Sequence, residues 1–94
     1  MQNFDIKTFD QLFDAVLKLK TKEDCRKFFE DVCTIKELQD VTQRLQVAEL
    51  LMQKKNYQEV SKETGASTAT ISRVNKCLNY GSGGYSIVLD KKGD

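Results

Sequence analysis

The most informative stretch of this chain is residues 57–78, YQEVSKETGASTATISRVNKCL. The pattern predicts a helix, a tight turn and a second helix, because Gly65 ends one helical pattern where the backbone must enter positive φ. A residue with a Cβ atom would cost roughly 1–2 kcal/mol there. On the second helix, Ile71, Val74 and Leu78 recur at steps of three and four residues and form one apolar stripe. This arrangement is typical of a helix-turn-helix unit, whose second helix enters the DNA major groove.

The outward face of the second helix carries small polar side chains near its start and cations further along. The Ser67 hydroxyl is placed to cap this helix, whose free N–H groups then point toward phosphate. A face with small polar and cationic groups but no acid favours DNA contact, although a plain helical hairpin can show the same spacing. We predict that the small side chains meet phosphate or thymine methyl groups, and that the cations meet phosphate or guanine. The predicted DNA-contacting residues on this helix are Ser67, Thr68, Ala69, Thr70, Ser72, Arg73 and Lys76.

Length and charge limit the class of protein. A chain of 94 residues allows one domain with a modest core, and such chains are often stabilised by association. Its formal charge of +1 argues against non-specific coating of nucleic acid. No acid lies between Glu63 and Asp90, so the predicted DNA face belongs to the electropositive part of the chain.

The chain contains three cysteines and no histidine, and this composition limits the metal, disulfide and redox sites that it can form. The cysteines are widely spaced and form no C-x-x-C pair, so we predict neither a metal site nor a disulfide framework. We interpret Cys25 and Cys33 as small core hydrophobes, with redox sensing as the alternative. The sequence has no nucleophile–base pair and no phosphate-binding glycine loop after a strand. We therefore expect a protein that is not an enzyme and that needs no cofactor.

Apolar periodicity and capping signals predict three further helices, at about Phe9–Leu19, Lys22–Val32 and Ile35–Lys54. Capping boxes are predicted at Thr8, Thr34 and Asn56, and a weaker cap at Thr21. The residues expected to face inward are Phe9, Leu12, Phe13, Val16 and Leu19 in the first helix, Cys25, Phe28, Phe29 and Val32 in the second, and Leu38, Val41, Leu45, Ala48 and Leu51 or Met52 in the third.

Three glycines after residue 80 end the helical pattern, and residues 85–89, YSIVL, predict a short extended segment. We therefore expect a helical domain at residues 1–80 and a glycine-rich extended tail at residues 81–94. Tyr80 and Tyr85 are expected to cover edges of the core, with stacking on a base or ligand as the alternative. Lys54 and Lys55 either complement the dipole of the third helix or contact phosphate.

The first ten residues, MQNFDIKTFD, have neither a basic leader nor an apolar segment, and no run of the chain approaches membrane-spanning length. We therefore expect a cytoplasmic protein with no membrane partner.

The stretch from Thr34 to Leu78 resembles the tryptophan-repressor family, in particular its YerC/YecD branch. The matching features are the Thr34-x-x-Glu37 start, Arg44, the Glu49-Leu50-Leu51 segment, Gly65-Ala66, and Ala69-Thr70-Ile71 followed by Arg73. The resemblance covers about half of the chain and implies an all-helical subunit that forms an intertwined homodimer on double-stranded DNA. It also implies that two reading heads meet successive major grooves, with contacts from Gln58, Thr68, Ala69, Thr70 and Ser72.

The same resemblance implies a small-molecule effector. Members of the family hold the indole ring of a co-repressor between two arginines, and the matching positions here are Arg44 and Arg73. Thr34 matches a residue at the mouth of that pocket. Cys77 stands where the family uses a serine to orient the ligand's amino group, so the identity of the effector stays open. The alternatives are a salt bridge from Arg44 to Asp40 and a DNA contact by Arg73.

Taken together, these features predict a transcriptional regulator, most simply a repressor, that acts as a symmetric dimer on an inverted-repeat site. A module whose helical hairpin docks onto another protein is the alternative, because the chain is nearly neutral and its first two helices are rich in apolar residues.

Overall fold

The computed structural model describes residues 6–89, and every regular element in that range is an α-helix. The helices are α1 (Ile6–Val16), α2 (Lys22–Val32), α3 (Ile35–Met52), α4 (Tyr57–Thr64), α5 (Thr68–Tyr80) and α6 (Gly84–Val88). The predicted all-α fold class is confirmed. Residues up to Ile35 form one compact unit, and residues from Lys36 onward form a second. No helix within residues 6–89 has the length and apolar character needed to cross a bilayer.

In the first unit, α1 begins and ends about three residues earlier than predicted. Thr8 lies inside the helix instead of capping it, since neither Ile6 nor Lys7 interrupts the helix upstream. The far end tightens into a turn, where the Leu19 N–H donates to the Val16 carbonyl at 3.0 Å. The predicted bounds of α2 are confirmed, and the Thr21 hydroxyl caps it by accepting the Asp24 N–H at 3.0 Å.

Neither α1 nor α2 contains a buried residue. The predicted apolar stripes exist, but in this chain taken alone their side chains are half-buried or exposed. The core role expected of Cys25 is wrong here, because its side chain is exposed, whereas Cys33 is half-buried. These two helices therefore present apolar surface that no described part of the chain buries.

The second unit holds the core. Its fully buried side chains come from three helices and the turn, and they form one cluster of Val47, Ala48, Val60, Ala66, Ile71 and Val74. Leu50, Leu51 and Leu78 pack against this cluster as half-buried neighbours. The inward stripe predicted for α3 is only partly confirmed, since Val41 and Leu45 are 55% and 38% exposed. They lie on a side of α3 that the described residues leave uncovered.

Helix α3 ends at Met52, two residues before the predicted end, in a left-handed turn. Lys54 has φ of 70°, and its N–H donates to the Leu51 carbonyl at 3.0 Å. The Lys55 N–H donates to the Leu50 carbonyl at 3.1 Å. This pair of bonds defines a Schellman motif, in which the left-handed position is usually glycine. A residue with a Cβ atom in this conformation costs roughly 1–2 kcal/mol.

The extended segment predicted at residues 85–89 is wrong, because Gly84–Val88 form α6. Gly81 closes α5 by donating its N–H to the Cys77 carbonyl at 2.8 Å, and Gly83 then turns the chain at φ of 83°. Tyr85 and Leu89, four residues apart, pack against the core cluster from one side of this short helix. Tyr80, by contrast, is 85% exposed, so only Tyr85 covers a core edge as expected. The polar end of the predicted tail, residues 90–94, lies outside the described residues.

Candidate nucleic-acid interface

Helices α4 and α5 and the turn between them occupy the residues of the predicted helix-turn-helix. Gly65 caps α4 in the left-handed conformation, with φ of 76° and ψ of 5°, and its N–H donates to the Ser61 carbonyl at 2.8 Å. A Cβ atom placed on Gly65 would approach only the Gln43 amide nitrogen, at an ordinary 4.0 Å. The need for glycine at this turn is therefore conformational and not steric.

Four side-chain hydrogen bonds hold the turn in place. The Ser61 hydroxyl donates to the Ala66 carbonyl at 2.9 Å, across Gly65. The Thr64 hydroxyl donates to the Val60 carbonyl at 2.7 Å and accepts the Ala66 N–H at 3.1 Å. From α3, the Gln43 amide donates to the Thr64 carbonyl at 3.1 Å. The orientation of α5 relative to α4 is therefore held by polar contacts as well as by the apolar core.

Helices α4 and α5 are each capped by residues close to them in the sequence. Asn56 and Glu59 form a reciprocal capping box at the start of α4, with both bonds at 2.9 Å. At the start of α5, the Ser67 hydroxyl oxygen accepts the Thr70 N–H at 3.2 Å, which confirms the predicted cap. The Ser67 hydroxyl also donates to the Thr70 hydroxyl at 3.2 Å, so these two predicted contact residues are bound to each other.

The structure places most of the predicted DNA-contacting side chains on the exposed side of the helix-turn-helix. Ile71 and Val74 are buried on the opposite side of α5, as predicted. Thr70 is half-buried, beside Ser67. The exposed members of the predicted set are Gln58, Ser67, Thr68, Ala69, Ser72, Arg73 and Lys76.

The cations on α5 are not neutralised by the described part of the chain. Within residues 6–89, no carboxylate lies within ion-pair distance of Arg73 or Lys76. The two acids of α4 have other partners, since Glu59 closes the capping box and Glu63 lies 3.8 Å from the Lys55 ammonium. The outer face of α5 therefore presents positive charge with small polar groups, a combination suited to phosphate and base edges.

The four effector candidates are distributed over both units. Thr34 belongs to the first unit, whereas Arg44, Arg73 and Cys77 belong to the second. The ion pair considered between Arg44 and Asp40 is wrong, because the Lys36 ammonium takes that carboxylate at 2.8 and 3.1 Å.

Of these candidates, Cys77 lines an open cleft of about 470 Å³ in the second unit. The cleft is mostly apolar, and neither Arg44 nor Arg73 contributes to its wall. Its remaining lining residues are Leu45, Gly81, Ser82, Gly83, Gly84, Tyr85 and Val88.

Sequence reasoning missed Gln43, the residue that joins α3 to the turn. The signal was present, because Gln43 is a polar residue one helical turn before the buried Val47. Which carbonyl it would meet depends on tertiary packing and could not be read from spacing.

Comparison with known proteins finds matches over most of the chain. Residues 7–93 match the family model described as Trp repressor protein. The chain is 53% identical over 85 residues to YerC of Bacillus subtilis, an uncharacterized protein, with 90% of this chain and 82% of that one covered.

Solved structures with similar folds are similar in sequence as well. A TrpR-like protein from Eubacterium eligens superposes with a TM-score of 0.84 at 50% identity, covering 87% of this chain and 84% of that one. A provisionally assigned Trp repressor from Staphylococcus aureus gives a TM-score of 0.86 at 47% identity, covering 90% of this chain and 85% of that one.

Proposed function

The chain belongs to the Trp repressor family, and from that premise we propose that it is a sequence-specific DNA-binding transcriptional regulator, acting as a homodimer. Repression is the simplest mode, since a dimer bound at an operator excludes other proteins from it.

The observation that carries the proposal is the outer face of α5. It is exposed, contains no acid, and holds two cations with no ion-pair partner within residues 6–89. An α-helix fits the major groove, where the side chains of Thr68, Ala69 and Ser72 are short enough for close approach to base edges. Arg73 is assigned to a phosphate or guanine, and Lys76 to a phosphate.

The pairing of two copies is supported by apolar surface on the first three helices and at Leu17, which directly follows α1. Large hydrophobic side chains are more than a third exposed at Ile6, Leu12, Phe13, Leu17, Val32, Ile35, Val41 and Leu45. Burying one such side chain stabilises a protein by about 1.5–3 kcal/mol. Covering several of them with a second copy supplies the free energy for association. A symmetric pair then reads an inverted repeat whose half-sites lie roughly 34–36 Å apart.

We also propose an effector site at the residues that the family resemblance points to. The guanidinium planes of Arg44 and Arg73 suit a flat ring and a carboxylate. Cys77 is a weaker hydrogen-bond partner than a serine, so an effector other than tryptophan fits this chain better.

Selection from a random duplex pool with the purified protein tests the function. We expect enrichment of an inverted repeat, and the same selection with an added metabolite mixture reports whether an effector changes the yield. A protein in which Ser72 and Arg73 are both replaced by alanine is the control, and it should enrich no sequence. Failure of the unmodified protein to retain any duplex would overturn the proposal.

The alternative, a module that docks onto another protein, is favoured by one observation. Leu17, which directly follows α1, is 81% exposed. Binding to a protein partner in pull-down, together with no duplex retained at any sequence, is the result that this alternative predicts.

A further inference from the structure

Lys54 adopts a backbone conformation that favours glycine. It occupies the left-handed position of the Schellman motif after α3, with φ of 70°, and its side chain is exposed. It is the one non-glycine residue with positive φ within residues 6–89. At the end of α4 the chain meets the same requirement with a glycine, Gly65, at φ of 76°.

Fold stability alone does not account for a lysine at this position. Its ammonium group gains from the negative end of the α3 dipole, but this gain at an exposed site is smaller than the cost of a Cβ atom in the left-handed region. No carboxylate within residues 6–89 lies within ion-pair distance of Lys54. The part of the chain that the structure describes therefore leaves the charge of Lys54 available to a bound partner.

The neighbouring residues Lys54 and Lys55 differ in whether a carboxylate lies near their ammonium group. The Lys55 ammonium lies 3.8 Å from the Glu63 carboxylate and is thereby tied to α4. Lys54 stands two residues before Asn56, the N-cap of α4. In a helix-turn-helix the first helix crosses the sugar–phosphate backbone while the second enters the groove. Lys54 belongs to the segment that leads into α4, so in such a complex its ammonium approaches the duplex on the side of the crossed strand.

We infer that Lys54 is a backbone anchor, whose ammonium contacts a DNA phosphate beside the groove occupied by α5. The inference rests on the proposed function and adds to it a contact outside the recognition helix. The contact carries no sequence information, since every nucleotide offers the same phosphate, but it fixes the position of α4 on the duplex.

Four variants separate this role from a structural one. Lys54→Gln removes the charge, Lys54→Gly removes both the charge and the unfavourable backbone conformation, and Lys54→Arg keeps the charge. Lys20→Gln is the matched control, because Lys20 is also an exposed lysine in a loop between helices. Binding is followed by fluorescence anisotropy with a labelled random-sequence duplex pool over a salt series, and stability by thermal unfolding.

We expect Lys54→Gln and Lys54→Gly to bind on the order of tenfold more weakly at low salt, with the salt slope reduced by about 0.9. Between about 50 and 200 mM salt, the unmodified protein should therefore lose about 3.5-fold more affinity than either variant. Lys54→Arg and Lys20→Gln should bind like the unmodified protein. The Lys54→Gly variant should also have an unfolding temperature a few degrees above that of the unmodified protein, because glycine removes the unfavourable backbone conformation. If the lysine served only to stabilise the fold, its replacement would lower that temperature.

Two results would overturn the inference, and they are distinguishable. If the unmodified protein binds DNA and Lys54→Gln binds equally well with the same salt slope, the anchor is absent and the proposed function stands. If the unmodified protein binds no duplex, the proposed function fails and the anchor fails with it.

Discussion

The Ser61 hydroxyl on α4 donates a 2.9 Å hydrogen bond to the carbonyl oxygen of Ala66, on the far side of the Gly65 turn. The bond bridges the point where the chain changes direction between α4 and α5. Ala66 is itself buried in the core cluster. Helix α4 is thereby linked to the residue that precedes the cap of α5.

Replacing Ser61 with alanine should destabilise the second unit. The half-buried carbonyl of Ala66 loses its donor, and a loss of about 1 kcal/mol is typical of such a bond. Urea unfolding at fixed protein concentration measures the change. Ser86→Ala, at an exposed position in α6, serves as the control and should stay within about 0.5 kcal/mol of the unmodified protein. Equal stability of the two variants would show that the Ser61 bond contributes nothing.

Gly65→Ala should cost about 1 kcal/mol, because alanine at φ of 76° is disfavoured even where space is available. Gly84→Ala is the matched control. Gly84 is the first residue of α6, and an added Cβ there meets no atom within 4 Å. That substitution should be neutral or slightly stabilising. Unfolding midpoints that fall equally for both variants would contradict the conformational explanation.

Val41→Asp should weaken self-association. Val41 lies on the uncovered side of α3. In the proposed dimer, the substitution would bury a carboxylate at a position where the unmodified protein buries the valine methyl groups. We expect the dimer dissociation constant to rise at least about tenfold, which corresponds to about 1.4 kcal/mol. Sedimentation equilibrium measures it, with Gln46→Asp, at an exposed polar position of α3, as the control. A monomeric unmodified protein would contradict the proposed pairing.

Lys76→Ala should weaken DNA binding by a similar factor for all sequences and lower the salt slope by about 1, as expected for a phosphate contact. Competition among several duplexes, repeated over a salt series, measures both quantities. If the substitution instead changes which duplex is preferred and leaves the salt slope unaltered, Lys76 contacts a base.

Helices α4 and α5 and the turn between them could be predicted because their determinants are local. The capping box of Asn56 and Glu59, the left-handed Gly65 and the Ser67 cap each depend on residues within four positions of one another. The spacing of Ile71 and Val74 then identifies the buried side of α5. Sequence patterns that span so few residues can be recognised without knowledge of the tertiary contacts.

Features that depend on partners distant in sequence could not be predicted in the same way. In YSIVL, Tyr85, Ile87 and Leu89 alternate like a strand, whereas Tyr85 and Leu89 also have helical spacing. The structure is helical because these two side chains reach the core together. Val41 and Leu45 have a core-like pattern, but periodicity does not show whether the same chain or a second copy covers them.

Footprinting of the duplex recovered by selection shows whether two paired copies read DNA through α5. If α5 enters a major groove from each of two paired copies, the protein should protect two patches on one side of the duplex, with centres roughly 34–36 Å apart and related by two-fold symmetry. Protection of one unsymmetrical patch, or of none, would contradict the account.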